Sequence, residues 1–158
     1  MVADRSGAAA AKGVREIMIS QSAEYALRAI VWLAGRPNLT WSTPEIARQT
    51  KIPAGYMSKV LQSLARAGLV ASNPGRSGGF RMRRRPERIS ILDVVRAVDP
   101  FKSAMRCPLS LPAHRGELCP LHRRLERAAA MVERAFSKTT IAEILADKSP
   151  TRALQESA

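Results

Sequence analysis

The chain has 158 residues, 46% of them hydrophobic and 25% charged, and its 26 Lys and Arg against 13 Asp and Glu give a formal net charge of +13. That is one domain of globular protein with an attached element or two, and a balance this basic points to a polyanionic partner. No apolar run approaches the ~18 residues of a membrane span, so no membrane partner is expected. With only two cysteines and no secretory leader, a reducing cytoplasm is the expected location.

Residues 1–17 are rich in Ala and Gly, carry scattered charges and lack an apolar stripe, so they read as a disordered leader. Ser22 is placed to cap a helix from Ala23 to Ala34, whose Ala26, Leu27, Ile30, Val31 and Leu33 form a broad apolar face. Glu24 lies in its first turn, where the helix dipole favours a carboxylate. Leu39 and Trp41 alternate with Thr40 and Ser42, as in a short strand able to add to the sheet of the wing that follows.

The stretch from Thr43 to Arg85 organises the rest. Thr43 as cap, Pro44 at the first helical position and Glu45 in the first turn start a helix that ends near Thr50. Pro53 pushes Ile52 out of helical geometry and turns the chain. From Gly55 to Ala67, Met57, Val60, Leu61 and Leu64 follow the spacing of one buried helix face. The other face offers Ser58, Lys59, Gln62, Ser63 and Arg66. Gly68 suits a left-handed residue after the helix. Then Leu69 to Ala71 and Phe80 to Arg83 read as two short strands around the glycine-rich tip of residues 73–79. Helix, turn, helix and basic hairpin in this order predict a mostly α fold with a small β-wing, a winged helix-turn-helix.

Charge gives that shape a partner. Between residues 48 and 88 there are ten basic residues and one acid, Glu87, a balance of +9. A helix with small polar groups beside a basic hairpin suits double-stranded DNA: side chains for base edges, cations for phosphates.

Ser90 caps a helix to about Val98, and Asp99-Pro100 stops it. Residues 101–118, with Pro108, Pro112 and Gly116, cannot be one regular element. A connection of that length is usually functional, and a sensor loop is expected here. From Leu118 the apolar positions Leu121, Leu125, Ala128, Val132 and Ala135 keep spacings of three and four, the seam of a dimerisation helix. Thr140-x-x-Glu143 is a capping box for a last short helix, after which residues 148–158 carry no pattern. The predicted organisation is therefore a leader (1–17), a DNA-binding domain (18–100), a sensor loop (101–118), a dimerisation and terminal helix (119–147) and a tail.

Cys107, His114, Cys119 and His122 include every cysteine and histidine in the chain, in the pattern C-x6-H-x4-C-x2-H. Thiolate and imidazole are the donors of zinc sites and of some iron-sulfur clusters. Catalytic motifs do not occur. The loop 75–79 lacks the Lys-Ser/Thr of a phosphate-binding loop, and no nucleophile elbow or zinc-protease helix is found, so an enzyme is not expected.

Five segments in order, Ser22-Ala-Glu-Tyr-Ala-Leu-Arg-Ala, Ile52-Pro-Ala-Gly-Tyr-Met-Ser-Lys-Val-Leu, Ala67-Gly-Leu-Val, Gly75-Arg-Ser-Gly-Gly-Phe and Ile91-Leu-Asp-Val-Val-Arg-Ala-Val, resemble the BadM/IscR/NsrR (Rrf-two) family of bacterial transcriptional regulators. The resemblance spans roughly Met18 to Asp147, which makes Met18 a candidate start. It implies a homodimer that binds an inverted repeat and represses transcription. Resemblance and position together assign Tyr56, Ser58 and Lys59 to the major groove and Arg76 of the wing tip to the neighbouring backbone or minor groove, with Ser77 and Arg81 as further DNA-binding residues. Family members often hold a cluster on three cysteines of the sensor loop. Here Cys107 and Cys119 match, but Ala113 takes the middle place, with His114 beside it. Three readings stay open: a two-iron two-sulfur cluster on the cysteines with His114 or His122, and Glu24 of the partner subunit as fourth ligand; zinc on the two cysteines and two histidines; or no cofactor, with sensing through a protein partner.

Overall fold

The structure, a computed structural model, describes residues 19–75, 78–99 and 119–147. In chain order its elements are α1 (Gln21–Ala34), α2 (Thr43–Thr50), α3 (Ala54–Arg66), β1 (Val70–Asn73), β2 (Gly79–Met82), a 3-10 turn (Pro86–Arg88), α4 (Ile91–Val98), α5 (Pro120–Lys138) and α6 (Ile141–Ala146). The predicted mostly helical fold with one small wing is what forms. The leader, the loop of residues 101–118 and the tail lie outside the described residues.

Helix α1 is the centre of the domain. Its residues from Ala29 to Ala34 are buried without a break, a pattern of burial on all sides rather than along one stripe. It packs against α2, α3, α4, α6 and β2. Its cap is Ser20 rather than Ser22: the Ser20 hydroxyl accepts from the Ala23 N–H at 3.1 Å, and the helix starts two residues earlier than its sequence suggests.

Helix α2 is likewise capped one residue early, by Ser42 rather than Thr43. Only Ser42 has a Glu three positions on, so only it can form a reciprocal box. The Glu45 carboxylate accepts from the Ser42 backbone N–H at 2.9 Å, while the Ser42 hydroxyl accepts from the Glu45 N–H at 3.4 Å. These bonds from Ser42, aided by the charge of Arg48, hold the Glu45 carboxyl below its usual pKa. The turn out of α2 is made by Lys51, a left-handed residue with φ 56° and ψ 42°. Proline thus sets only the far side of the turn. Ile52 drops into the core behind it, its N–H bonded to the Ala47 carbonyl at 3.0 Å.

Met57, Val60, Leu61 and Leu64 of α3 face the core, as their spacing predicts. Gly68 is left-handed, with φ 71°. Strands β1 and β2 pair antiparallel from Val70 with Met82 to Asn73 with Gly79. The expected strand at Leu39–Trp41 is reduced to a single bridge, in which Trp41 and Phe80 exchange backbone hydrogen bonds of 3.0 and 2.8 Å. That bridge accounts for Gly79: a Cβ there would lie 2.2 Å from the Trp41 carbonyl oxygen. Trp41 then packs edge-on against Trp32 of α1, ring centroids 5.0 Å apart, tying the wing to the core.

Ser90 and Asp93 form the capping box of α4, and Thr140 and Glu143 that of α6. The two caps lie side by side. Ile141 N–H bonds to the Ile89 carbonyl at 2.8 Å, and Ile91 N–H to the Thr139 carbonyl at 3.0 Å. Although the sequence groups α6 with α5, Ile141 is fully buried in the main core and Ile144 and Leu145 pack against it. Helix α5 differs, since His122 is its one buried residue. Of the heptad seam, Leu121 is 39% and Leu125 45% exposed, Ala128 and Ala135 are exposed and Val132 is half-buried, so most of the seam is not covered by the rest of the described chain. Arg96 of α4 meets Glu133 of α5 at 3.3 Å. No helix among the described residues is long and apolar enough to cross a membrane.

Candidate nucleic-acid interface

Burying one face of α3 fixes what the other presents. Gly55, Tyr56, Lys59, Gln62 and Arg66 are exposed along it, with Ser58 and Ser63 half-buried at its edges. Of the residues the sequence assigns to DNA, Tyr56 and Lys59 are exposed and Ser58 is half-buried. The N-cap, Pro53, offers no side-chain cap, and the Tyr56 N–H bonds to the Pro53 carbonyl at 3.0 Å, so the N–H groups without a capping side chain are those of Ala54 and Gly55. No atom comes within 4 Å of where a Cβ on Gly55 would be, so the surface there is flat backbone. Arg66 donates to the Ser63 hydroxyl at 3.1 Å, which aligns its guanidinium with the helix.

On β2, Met82 is buried, Phe80 packs against the core and Arg81 is exposed, so Arg81 stands on the outward face of the wing as expected. Arg76 and Ser77 lie outside the described residues. Asn73, at the tip end of β1, donates to the Thr40 hydroxyl at 3.4 Å and steadies the hairpin against the α1–α2 connection.

Tyr56 is supported from α1. The Tyr25 ring packs edge-on against Tyr56, and the Arg28 guanidinium lies 5.8 Å from the centre of the Tyr25 ring. Arg28 also donates to the Glu24 carboxylate at 2.6 Å and to the Thr50 carbonyl at 3.1 Å, so it spans from α1 to the end of α2. The Glu24 and Arg28 spacing of four is visible in the sequence. The meeting of Tyr25 with Tyr56, thirty-one positions apart, is not.

At the head of α5, Cys119 is the N-cap: its buried Sγ accepts from the His122 N–H at 3.3 Å. His122 is buried too, with Nε2 3.6 Å from the Glu126 carboxylate one turn further on. Glu126 is the member of this group that sequence spacing alone did not single out. Thiol and imidazole are donor chemistry that zinc or an iron-sulfur cluster takes, so Cys119 and His122 fit as part of a ligand set. They do not complete one. Among the described residues no group of three or more His, Cys, Asp or Glu side chains could hold a metal ion. Cys107 and His114 lie outside the described residues, and the Glu24 carboxylate is engaged by Arg28.

Comparison with known proteins agrees with this geometry. Residues 19–147 match the Rrf2 family, described as iron-dependent transcriptional regulators. A protein of Aquifex aeolicus (strain VF5) named as an HTH-type transcriptional regulator is 31% identical over 134 residues, covering 82% of this chain and 92% of the relative. Among solved structures, T. potens IscR aligns with a TM-score of 0.70 at 21% identity, over 89% of this chain and 94% of its own. CymR, the global cysteine regulator of B. subtilis, aligns with a TM-score of 0.64 at 22% identity, over 81% of this chain and 95% of its own. These two likenesses concern the fold. With an exposed polar helix beside a basic wing and a family match across nearly all of the described chain, the protein belongs to the Rrf2 family of DNA-binding transcriptional regulators.

Proposed function

We propose that the chain represses transcription as a homodimer bound to an inverted repeat, and that a metal or cluster at the head of α5 modulates its binding. The observation that carries the DNA half is the exposed row of Tyr56, Lys59, Gln62 and Arg66 on a helix whose other face is locked in the core. One such helix reads few base pairs, and a two-fold pair doubles the contact. The exposed Leu121 and Leu125 on α5 supply a surface for that pairing. Tyr56, Ser58 and Lys59 read bases, while Arg81, together with Arg76 and Ser77, holds the flanking backbone or minor groove.

For the sensing half, Cys119 and His122 would contribute to a site completed by Cys107 and His114, with Glu24 of the partner subunit as a candidate further ligand. A two-iron two-sulfur cluster there would supply a redox-sensitive centre, and zinc a structural one. This chain's own residues do the coupling. Cys119 caps the helix that bears the dimer seam, so ordering the loop before it constrains the start of α5, and α5 meets the reader at Arg96 and Glu133. A change in α5 then alters the spacing of the two reading helices.

The test is binding to duplexes carrying randomised inverted repeats, followed by titration across salt. Selection of a two-fold site and an affinity that falls steeply with salt are expected. Selection of no sequence, or salt-insensitive binding, contradicts the proposal. Anaerobic purification with iron, sulfide and zinc determination tests the sensing half, and protein free of all three but fully responsive would leave a regulator that senses through a protein partner.

A further inference from the structure

Beyond the wing, the chain leaves β2 through a bend at Arg83 and Arg84 and enters the 3-10 turn Pro86–Arg88. Three residues per 3-10 turn bring positions i and i+3 onto one side, and the Arg88 N–H closes the turn on the Arg85 carbonyl at 2.9 Å. That bond brings Arg85, the extended cap of the turn, close to Arg88. Together with Arg83 and Arg84 they line a hollow of about 690 Å³. All four are exposed, and no ion pair among the described residues includes any of them. Glu87, the acid of this segment, does not line the hollow.

Four guanidinium groups around one concavity repel each other, and that repulsion falls when an anion enters. The chemistry they suit is phosphate oxygen, which a guanidinium takes with two parallel hydrogen bonds. Among the described residues, no aromatic or aliphatic side chain lines the hollow to hold a base or a sugar ring. Position decides between the sources of phosphate. Arg83 Nη1 lies 4.0 Å from the Cβ position of Gly68, two residues past the C-terminal end of α3 at the exposed Arg66. From Tyr56 to Arg66 the helix runs ~15 Å at ~1.5 Å per residue. A major groove is about 12 Å wide, so a helix reading bases near Tyr56 brings its far end to a sugar-phosphate strand.

We propose that the Arg83, Arg84, Arg85 and Arg88 hollow is a second phosphate site, separate from the wing tip, which grips the DNA backbone flanking each half-site. This rests on the DNA-reading assignment of α3. The site adds affinity without sequence preference and lengthens the duplex the protein needs.

The test compares two duplexes with the same inverted repeat, one cut at the half-site edges and one extended by about ten base pairs on each side, with the full chain and with Arg84→Gln/Arg85→Gln/Arg88→Gln. The expected result is tighter binding of the extended duplex by the parent, about tenfold or more, with a steeper salt dependence. The triple variant loses that gain, and its slope on the extended duplex falls by about 0.9 for each phosphate that it no longer neutralises. Thermal melting monitors the fold, which substitutions of exposed arginines leave intact. Equal affinity of the parent for both duplexes, or a triple variant that keeps the full gain, overturns the proposal. So does inorganic tripolyphosphate binding at the four arginines without any effect of duplex length, which makes the ligand a free polyphosphate. Failure of the parent to select any repeat marks failure of the reading of α3 instead.

Discussion

Tyr25 of α1 meets Tyr56 of α3 edge-on, with ring centroids 6.1 Å apart and planes at 70°. Tyr56 is 55% exposed, so one edge of its ring rests on a helix of the core while the rest remains free to meet DNA. Aromatic pairs of this kind contribute about 0.5–1.5 kcal/mol beyond area burial. Tyr25→Leu is therefore expected to cost about 1 kcal/mol in urea unfolding and to reduce discrimination between the chosen repeat and unrelated DNA. A double-mutant cycle with Tyr56→Leu isolates the ring pair, and a coupling energy of zero would mean that Tyr25 gives Tyr56 no support.

Lys51 occupies left-handed backbone, which disfavours a side chain with a Cβ by roughly 1–2 kcal/mol. Lys51→Gly should raise unfolding stability by about 1 kcal/mol, part of the strain relief being offset by the greater freedom of glycine in the unfolded chain. A fall in stability would mean that the lysine side chain makes contacts that outweigh its backbone strain.

The lowered pKa of Glu45 sets a pH dependence. Because the carboxyl is more acidic folded than unfolded, its box with Ser42 adds stability above the ordinary carboxylate value of 4.5, and that stability is lost as pH falls through the lower folded value. Glu45→Gln should lower the melting temperature at neutral pH, with the difference from the parent shrinking below pH 4.5. A difference that grows on acidification contradicts the assignment.

Leu125 lies on the uncovered stripe of α5 at 45% exposure, so Leu125→Glu adds a charge without disturbing a core. Sedimentation should show a monomer with unchanged helical content, and affinity for the inverted repeat should drop by about tenfold or more once the two half-sites are no longer bound by one linked pair. A variant that remains dimeric places the subunit contact elsewhere.

Cys119 caps α5 through sulfur, and serine is a strong cap but a poor soft ligand. Cys119→Ser should keep the helix, seen by circular dichroism, while lowering the iron or zinc that copurifies with the parent. If metal content is unaffected, the ligand set does not include this thiol.

The sequence by itself determined the order of elements and the buried face of α3, because helical periodicity and capping residues act over a few positions. Met57, Val60, Leu61 and Leu64 were assigned to the core from spacing alone, and Gly68 to left-handed backbone. The cap of α1 is Ser20 rather than Ser22, and that of α2 is displaced because two hydroxyl residues compete at its start and the partner three residues on decides between them. Ser42 wins through Glu45, while Thr43 is followed three positions later by Ile46. Only the tertiary structure decided that residues 39–41 join the wing by no more than the Trp41–Phe80 bridge, that Ile141 returns to the main core, that Tyr25 supports Tyr56 and that four arginines surround one hollow. Each of these depends on how elements remote in the chain, or a bend with no periodic signal, are brought together by burial of the apolar faces. That is a property of the packed chain as a whole, which no local pattern encodes.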